Sequence, residues 1–139
     1  MNNKHKGFTL IEILIALAIM SILTLVAYPA YQEQVNKSRR VDAQSGLLAL
    51  SNALERYHIN NNTFVGAAVG AGGLYPAETP IDGANKYYDL SIPVATATTY
   101  TIRAIPKNAQ VDDGCLQIAS IGTRTRFAAD DCSGATSNW

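Results

Sequence analysis

The stretch KGFTLIEILIALAIM, residues 6–20, decides the architecture of this chain. It opens an apolar run that reaches Tyr31 and has no charged residue after Glu12. A transmembrane helix needs about 20 apolar residues, so the run from Phe8 to Tyr31 is long enough to cross a bilayer. An ionised carboxylate inside such a helix costs several kcal/mol. The sequence therefore predicts a membrane helix that keeps Glu12 for a functional reason.

The length and the net charge of the chain limit the functions that it can have. The chain has 139 residues, enough for one ordinary domain, and its 11 basic and 11 acidic side chains cancel. There is no basic excess of the kind that indicates nucleic-acid binding. The sequence also contains no glycine-rich phosphate loop, no Cys-His spacing for zinc and no recognisable nucleophile motif. We therefore expect no enzymatic activity, no cofactor and no metal site.

The residues Gly7-Phe8-Thr9-Leu10-Ile11-Glu12, followed by the apolar run, resemble the processing site of type IV prepilins. The likeness extends to Pro29, a strand-rich second half and a late cysteine pair, a layout most similar to that of minor pilins. The resemblance implies that a prepilin peptidase cuts between Gly7 and Phe8 in the cytoplasm and then N-methylates Phe8. It also implies a single-pass subunit of the inner membrane, with its head in the periplasm, that later joins an extracellular pilus.

Cleavage would give Glu12 a charged partner. After the cut, Phe8 carries a cationic amine, and a carboxylate four residues later lies one helical turn away. Glu12 could pair with its own amine or with the amine of a neighbouring subunit, and the resemblance implies the neighbour. Such pairing offsets much of the cost of burying the charge. The alternative is a glutamate that snorkels to the membrane interface from near the helix start.

The helix is expected to continue beyond the membrane as an amphipathic segment. Leu47, Leu50 and Leu54 recur at helical spacing, so one face should meet a core. Pro29 removes a hydrogen bond and predicts a kink, and the asparagines at 60–62 predict the helix end. The expected parts are a cleaved leader (1–7), a transmembrane and assembly helix (8–31) and a globular head (32–139), the head comprising an amphipathic helix (32–59), a connecting loop (63–86) and a sheet with a disulfide region (87–139).

Four segments of the second half alternate apolar and polar residues, which predicts strands. They are residues 88–92, 99–105, 116–119 and 123–127. Short links between strands favour an antiparallel sheet, whose apolar face would cover the leucines of the helix. The predicted fold class is α+β and pilin-like: a long N-terminal helix, its first half spanning the membrane, packed against a small antiparallel sheet with a C-terminal disulfide loop.

The only two cysteines, Cys115 and Cys132, lie near the C-terminus. Such a pair is compatible with one disulfide, worth about 3 kcal/mol by chain-entropy arguments. The alternative is two unrelated buried thiols, as in a cytosolic protein. The membrane-targeting segment favours the disulfide because it implies an oxidising compartment.

Two charged groupings suggest ligands. Arg124 and Arg126 would share one face of a strand and, with Arg103 or Lys107, could form a small basic patch for DNA. Some minor pilins bind DNA during natural transformation, although a patch of so few charges is more often a solvated face. The second grouping is acidic and could hold calcium, but it lacks EF-hand-like spacing. Its members are Asp112, Asp113, Asp130 and Asp131.

The predicted function is structural. We interpret the chain as a type IV pilus subunit that assembles through its N-terminal helix into a helical filament. Among such subunits, its layout favours a minor pilin. Its partners would be other pilins, the prepilin peptidase and N-methyltransferase, the inner-membrane assembly machinery and, before assembly, membrane lipid. The alternatives are a DNA-binding minor pilin, with nucleic acid as a further partner, and a pseudopilin of a type II secretion system. The cysteine pair argues against the pseudopilin, whose major form usually has calcium ligands in its place.

Overall fold

The computed structural model describes residues 8–139, so the predicted leader and Gly7 lie outside the described residues. Helix α1 runs over Leu10–Asn61, two residues later at each end than predicted. Thr9 explains the start because its Oγ1 accepts the Glu12 N–H at 3.3 Å, an N-cap bond. Asn62 explains the end because it takes a left-handed φ of 54° and donates its N–H to the His58 carbonyl.

The chain divides into two compact units, the first ending at Val35 and the second spanning Asn36–Trp139. The first unit is the apolar part of α1, which reaches a mean hydropathy of 2.7 with none of those residues buried. By length and composition α1 could cross a membrane. Pro29 lies inside it and, lacking an N–H, leaves the carbonyl of Leu25 without its usual helical donor.

The second unit contains a six-stranded antiparallel sheet in which the strands lie side by side in chain order. The strands are β1 (Glu78–Thr79), β2 (Tyr88–Ala95), β3 (Tyr100–Pro106), β4 (Leu116–Ala119), β5 (Arg124–Phe127) and β6 (Thr136–Asn138). The predicted α+β class and all four predicted strands are confirmed, and the two short edge strands were not predicted. A three-residue 3-10 helix, Asn108–Gln110, lies between β3 and β4.

One hydrophobic core lies between the head part of α1 and one face of the sheet. Leu47, Leu50 and Leu54 are fully buried, as predicted. The sheet contributes alternate residues of its central strands, which is the pattern of a sheet with one buried face. The helix approaches closely at Gly46, where an added Cβ would lie 2.6 Å from Cγ2 of the buried Thr79. The main sheet members of the core are Tyr88, Leu90, Tyr100, Ile102, Ala104, Leu116 and Ile118.

The predicted disulfide is confirmed: Cys115 and Cys132 are bonded, with Cα atoms 5.0 Å apart. Cys115 is fully buried directly before β4, so the bond ties the chain that follows β5 to the core. Gly114 precedes it with a φ of +84°, and an added Cβ would lie 2.1 Å from the Phe127 carbonyl oxygen. Only glycine fits this close approach.

Candidate assembly segment and binding surfaces

Glu12 lies in the first turn of α1, where the backbone N–H groups have no helical partner. A carboxylate is favoured at this position because the N-terminal end of a helix carries a partial positive charge. Thr9 and Glu12 have the spacing of a capping box, in which a hydroxyl and a glutamate satisfy the free N–H groups of the first turn. This N-cap was missed, although Thr-x-x-Glu is visible in the sequence.

The side chains of residues 8–34 are exposed. Phe8 is 80% exposed and Leu25 is 77% exposed, and so large an apolar surface marks a site of contact with a membrane or another protein. Two hydroxyls are satisfied within the helix, since Ser21 donates to the Leu17 carbonyl and Thr24 to the Met20 carbonyl, each at 2.8 Å. Apart from Glu12, residues 8–31 therefore offer a continuous apolar surface to lipid or to another protein.

The four cations proposed for DNA do not form one patch. Arg103 pairs across the sheet with Gln117, and Gln117 pairs with Thr125. Arg124 and Arg126 flank Thr125 and therefore point to the other face of the sheet. The two faces are separated by the full thickness of the sheet.

Lys107 forms ion pairs with two carboxylates. It bonds to Glu78 and, at 2.6 Å, to Asp89. The hydrogen bond to Asp89 and then that to Glu78 raise the pKa of Lys107. The hydrogen bond from Lys107 likewise lowers the pKa of Glu78. This cation is already matched by protein charges.

Arg124 and Arg126 do share a face, and Trp139 joins them there. The guanidinium carbon of Arg124 lies 5.7 Å from the centroid of the Trp139 ring. The indole N–H donates to the Thr125 carbonyl at 3.0 Å, which fixes the ring. Arg126 donates to the Asp113 carbonyl at 2.6 Å, so part of its donor capacity is used. The sequence pattern did not indicate Trp139, because its position follows from the unpredicted strand β6.

Asp113 is the centre of a half-buried polar network that joins α1 to the loop before Cys115. Its carboxylate accepts from Arg40 Nε at 2.8 Å and from the Tyr88 hydroxyl at 2.5 Å. Burial acts to raise the pKa of Asp113, but the hydrogen bonds from Arg40 and Tyr88 outweigh it, so the pKa lies below the ordinary value. Burial and the contact with Asp113 raise the pKa of Tyr88. Asp113 is therefore a structural anion, used to hold the loop.

Two other carboxylates of the acidic grouping, those of Asp130 and Asp131, also have local partners. Asp130 accepts the backbone N–H groups of Asp112 and Gly114 at 2.8 and 2.9 Å. Asp131 accepts the Ser133 N–H at 3.0 Å. Over residues 8–139, no group of three or more His, Cys, Asp or Glu is arranged to hold a metal ion. The carboxylates brace the disulfide loop.

Comparison with known proteins adds family information to this geometry. Residues 2–28 match the prokaryotic N-terminal methylation motif. Residues 29–119 match the family described as type IV minor pilin ComP, DNA uptake sequence receptor. Together the two matches cover the apolar helix and most of the head.

Individual relatives are pilins of several bacteria. Fimbrial protein EcpC of Eikenella corrodens is 31% identical over 115 residues, which cover 79% of this chain and 68% of that protein. The fimbrial protein of Neisseria meningitidis serogroup B is 38% identical over 72 residues, covering 52% of this chain and 42% of the relative. The chain thus matches less than half the length of the first curated relatives.

Among solved structures, the Neisseria meningitidis non-core minor pilin PilV has a TM-score of 0.49 and 17% identity, covering 76% of this chain and 90% of PilV. The family assignment depends instead on the methylation motif, on the match over residues 29–119 and on the similarity to EcpC. The chain belongs to the type IV pilins, in the family described as type IV minor pilin ComP, DNA uptake sequence receptor.

Proposed function

We propose that this chain is a structural subunit, a minor pilin, of a type IV pilus and has no enzymatic activity. The observation that carries the proposal is the exposed apolar helix with a single carboxylate in its first turn. Burial of this helix among the helices of neighbouring subunits would supply most of the cohesion of the filament. Glu12 would supply the register by pairing with the freed amine of a neighbour. The head would contribute to initiation, retraction or adhesion.

The proposal includes a processing step and two locations. A prepilin peptidase removes residues 1–7 in the cytoplasm and methylates Phe8, while the head lies in the periplasm and α1 is held by lipid of the inner membrane. The assembly machinery then moves the subunit into the pilus. The methylation motif and the apolar helix support this sequence of events.

Mass spectrometry of sheared, purified pili tests the proposal. The expected species contains the disulfide, lacks residues 1–7 and begins with N-methylated Phe8. A chain found only in the membrane fraction with its leader attached would contradict a role in the filament. A matched Gly7→Val variant should accumulate unprocessed in the membrane and be absent from the pili.

A second candidate function is DNA binding for natural transformation, favoured by the family description over residues 29–119. Arg124, Arg126 and Trp139 offer cations beside an aromatic ring, the combination that nucleic acids contact through phosphates and bases. Retention of DNA by the purified full chain should fall as salt rises. Replacement of both arginines by alanine should weaken it. Salt-independent retention, or none, would contradict this function.

A pseudopilin of a type II secretion system is the remaining alternative. It would share the N-terminal processing and the apolar helix. Detection of the chain in surface pili rather than in a periplasmic pseudopilus separates the two. The Cys115–Cys132 disulfide supports the pilus subunit, because major pseudopilins usually have calcium ligands at this end of the head.

A further inference from the structure

The solvent face of the sheet carries a row of hydrogen-bonding side chains that crosses five strands. Each member lies directly opposite the next in the strand register, so all of them point to the same face. Neighbouring strands are about 4.8 Å apart, which makes the row roughly 19 Å long. We call it the polar row, and its members from β2 to β6 are Ser91, Arg103, Gln117, Thr125 and Asn138.

Arg103 and Gln117 form the centre of the polar row and hold each other in place. Arg103 Nε donates to Gln117 Oε1 at 2.8 Å. This bond uses an acceptor of Gln117 and leaves its amide N–H groups, together with the two Nη groups of Arg103, to donate elsewhere. Both residues lie on inner strands and are partly exposed. The pair is therefore a preorganised set of donors on a rigid element.

The charge of Arg103 is not matched by a protein carboxylate. Among the residues that the structure describes, no Asp or Glu lies within 4 Å of its guanidinium, and no member of the polar row is acidic. Lys107, by contrast, holds both Glu78 and Asp89 at the β1 side of the same face. One cation among neutral donors fits an anionic oxygen acceptor such as a phosphate.

We propose that the polar row contacts the phosphodiester backbone of double-stranded DNA, with Arg103 and Gln117 donating to one phosphate. The inference rests on the second candidate function, DNA binding, and places a backbone contact on the sheet face opposite Arg124 and Arg126. The major groove is about 12 Å wide and admits a helix or a two-stranded ribbon, while the phosphates line its two rims. A five-stranded sheet that meets the duplex face-on and across the groove spans roughly 19 Å, so it rests on the rims. Donors on that face therefore meet phosphates before base edges.

The test is the binding of a fluorescent DNA duplex to the processed full chain in detergent micelles over a series of salt concentrations. Arg103→Ala should lower affinity by about eight-fold near 0.1 M salt and reduce the slope of log K against log salt by roughly 0.9, the contribution of one phosphate contact. Gln117→Ala should lower affinity less. Arg56→Ala is the matched control, because Arg56 is an exposed arginine of α1 away from the sheet, and it should leave binding unchanged.

The outcomes separate this inference from the function on which it rests. If the wild-type chain does not bind the duplex, DNA binding itself is wrong. If the wild type binds and Arg103→Ala keeps its affinity and salt slope, only the polar row is wrong. If Arg103→Ala changes the preference between duplexes of different sequence, the contact is with bases and the phosphate assignment is overturned. Arg103→Gln, which keeps an amide donor without the charge, should reproduce the loss if alanine disturbs folding.

Discussion

Asp113→Asn tests whether one largely buried carboxylate holds the disulfide loop to the helix. The wild-type side chain is 8% exposed and accepts from Arg40 and from the Tyr88 hydroxyl. Hydrogen bonds to charged groups are worth about 1.5–3 kcal/mol each, and removal of one charge leaves Arg40 unpaired. We expect the free energy of unfolding of the head to fall by about 2–4 kcal/mol at pH 7.

The same substitution should change the response to acid. The pKa of Asp113 is lower in the folded state than in the unfolded state, so its contribution is complete above the unfolded value of about 4 and is lost as the pH falls through the folded value. The wild type should therefore lose more stability than Asp113→Asn on going from pH 5 to the acid limit, and the two stabilities should converge.

The fluorescence of Trp139 reports on unfolding of the head, because Trp139 is the only tryptophan and its ring is fixed there. Urea unfolding of the full chain in micelles, followed by its fluorescence, gives the free energy at each pH. Asp82→Asn is the control, since Asp82 is exposed and forms no ion pair among the described residues. If Asp113→Asn matches the wild type at pH 7 and follows the same pH profile, the structural role of Asp113 is refuted.

Three further variants address the core and the disulfide. Cys115→Ser with Cys132→Ser should cost about 3 kcal/mol in the same urea assay, and an unchanged midpoint would show that the loop does not need the bond. Gly46→Ala should cost about 1–3 kcal/mol because its Cβ would lie 2.6 Å from Cγ2 of Thr79; a neutral result would mean that the contact relaxes freely. Leu50→Ala should cost about 2–5 kcal/mol, since Leu50 is fully buried, and a loss below 1 kcal/mol would argue against its place in the core.

The sequence predicted the elements whose residues have a clear period. The helical spacing of Leu47, Leu50 and Leu54 and the alternation in β2 to β4 follow directly from burial of one face. β1 and β6 escaped prediction because they have two and three residues, and β6 is exposed throughout, so burial imposes no alternation on it. Their presence depends on pairing with neighbours that is set by the rest of the sheet.

The candidate binding surface was harder to predict than the fold. Alternation alone indicates that Arg124 and Arg126 share a face, but it does not say which face. The register pairs them with Ile118 and Leu116, so they extend the core face beyond the helix, while Arg103 lies on the solvent face. Only the strand pairing shows that these cations lie on two faces and do not form one patch. The residues of a single strand do not determine that pairing.

The most direct test of the account is the amount of Glu12→Gln in sheared pili, measured against its amount in the inner membrane. Glutamine keeps the size of the side chain and removes the charge, so it should insert into the membrane normally and be absent from filaments. Glu33→Gln, an exposed glutamate of the same helix beyond the apolar run, should be incorporated like the wild type. Incorporation of Glu12→Gln at the wild-type level would contradict the claim that a buried carboxylate recruits the amine of a neighbouring subunit.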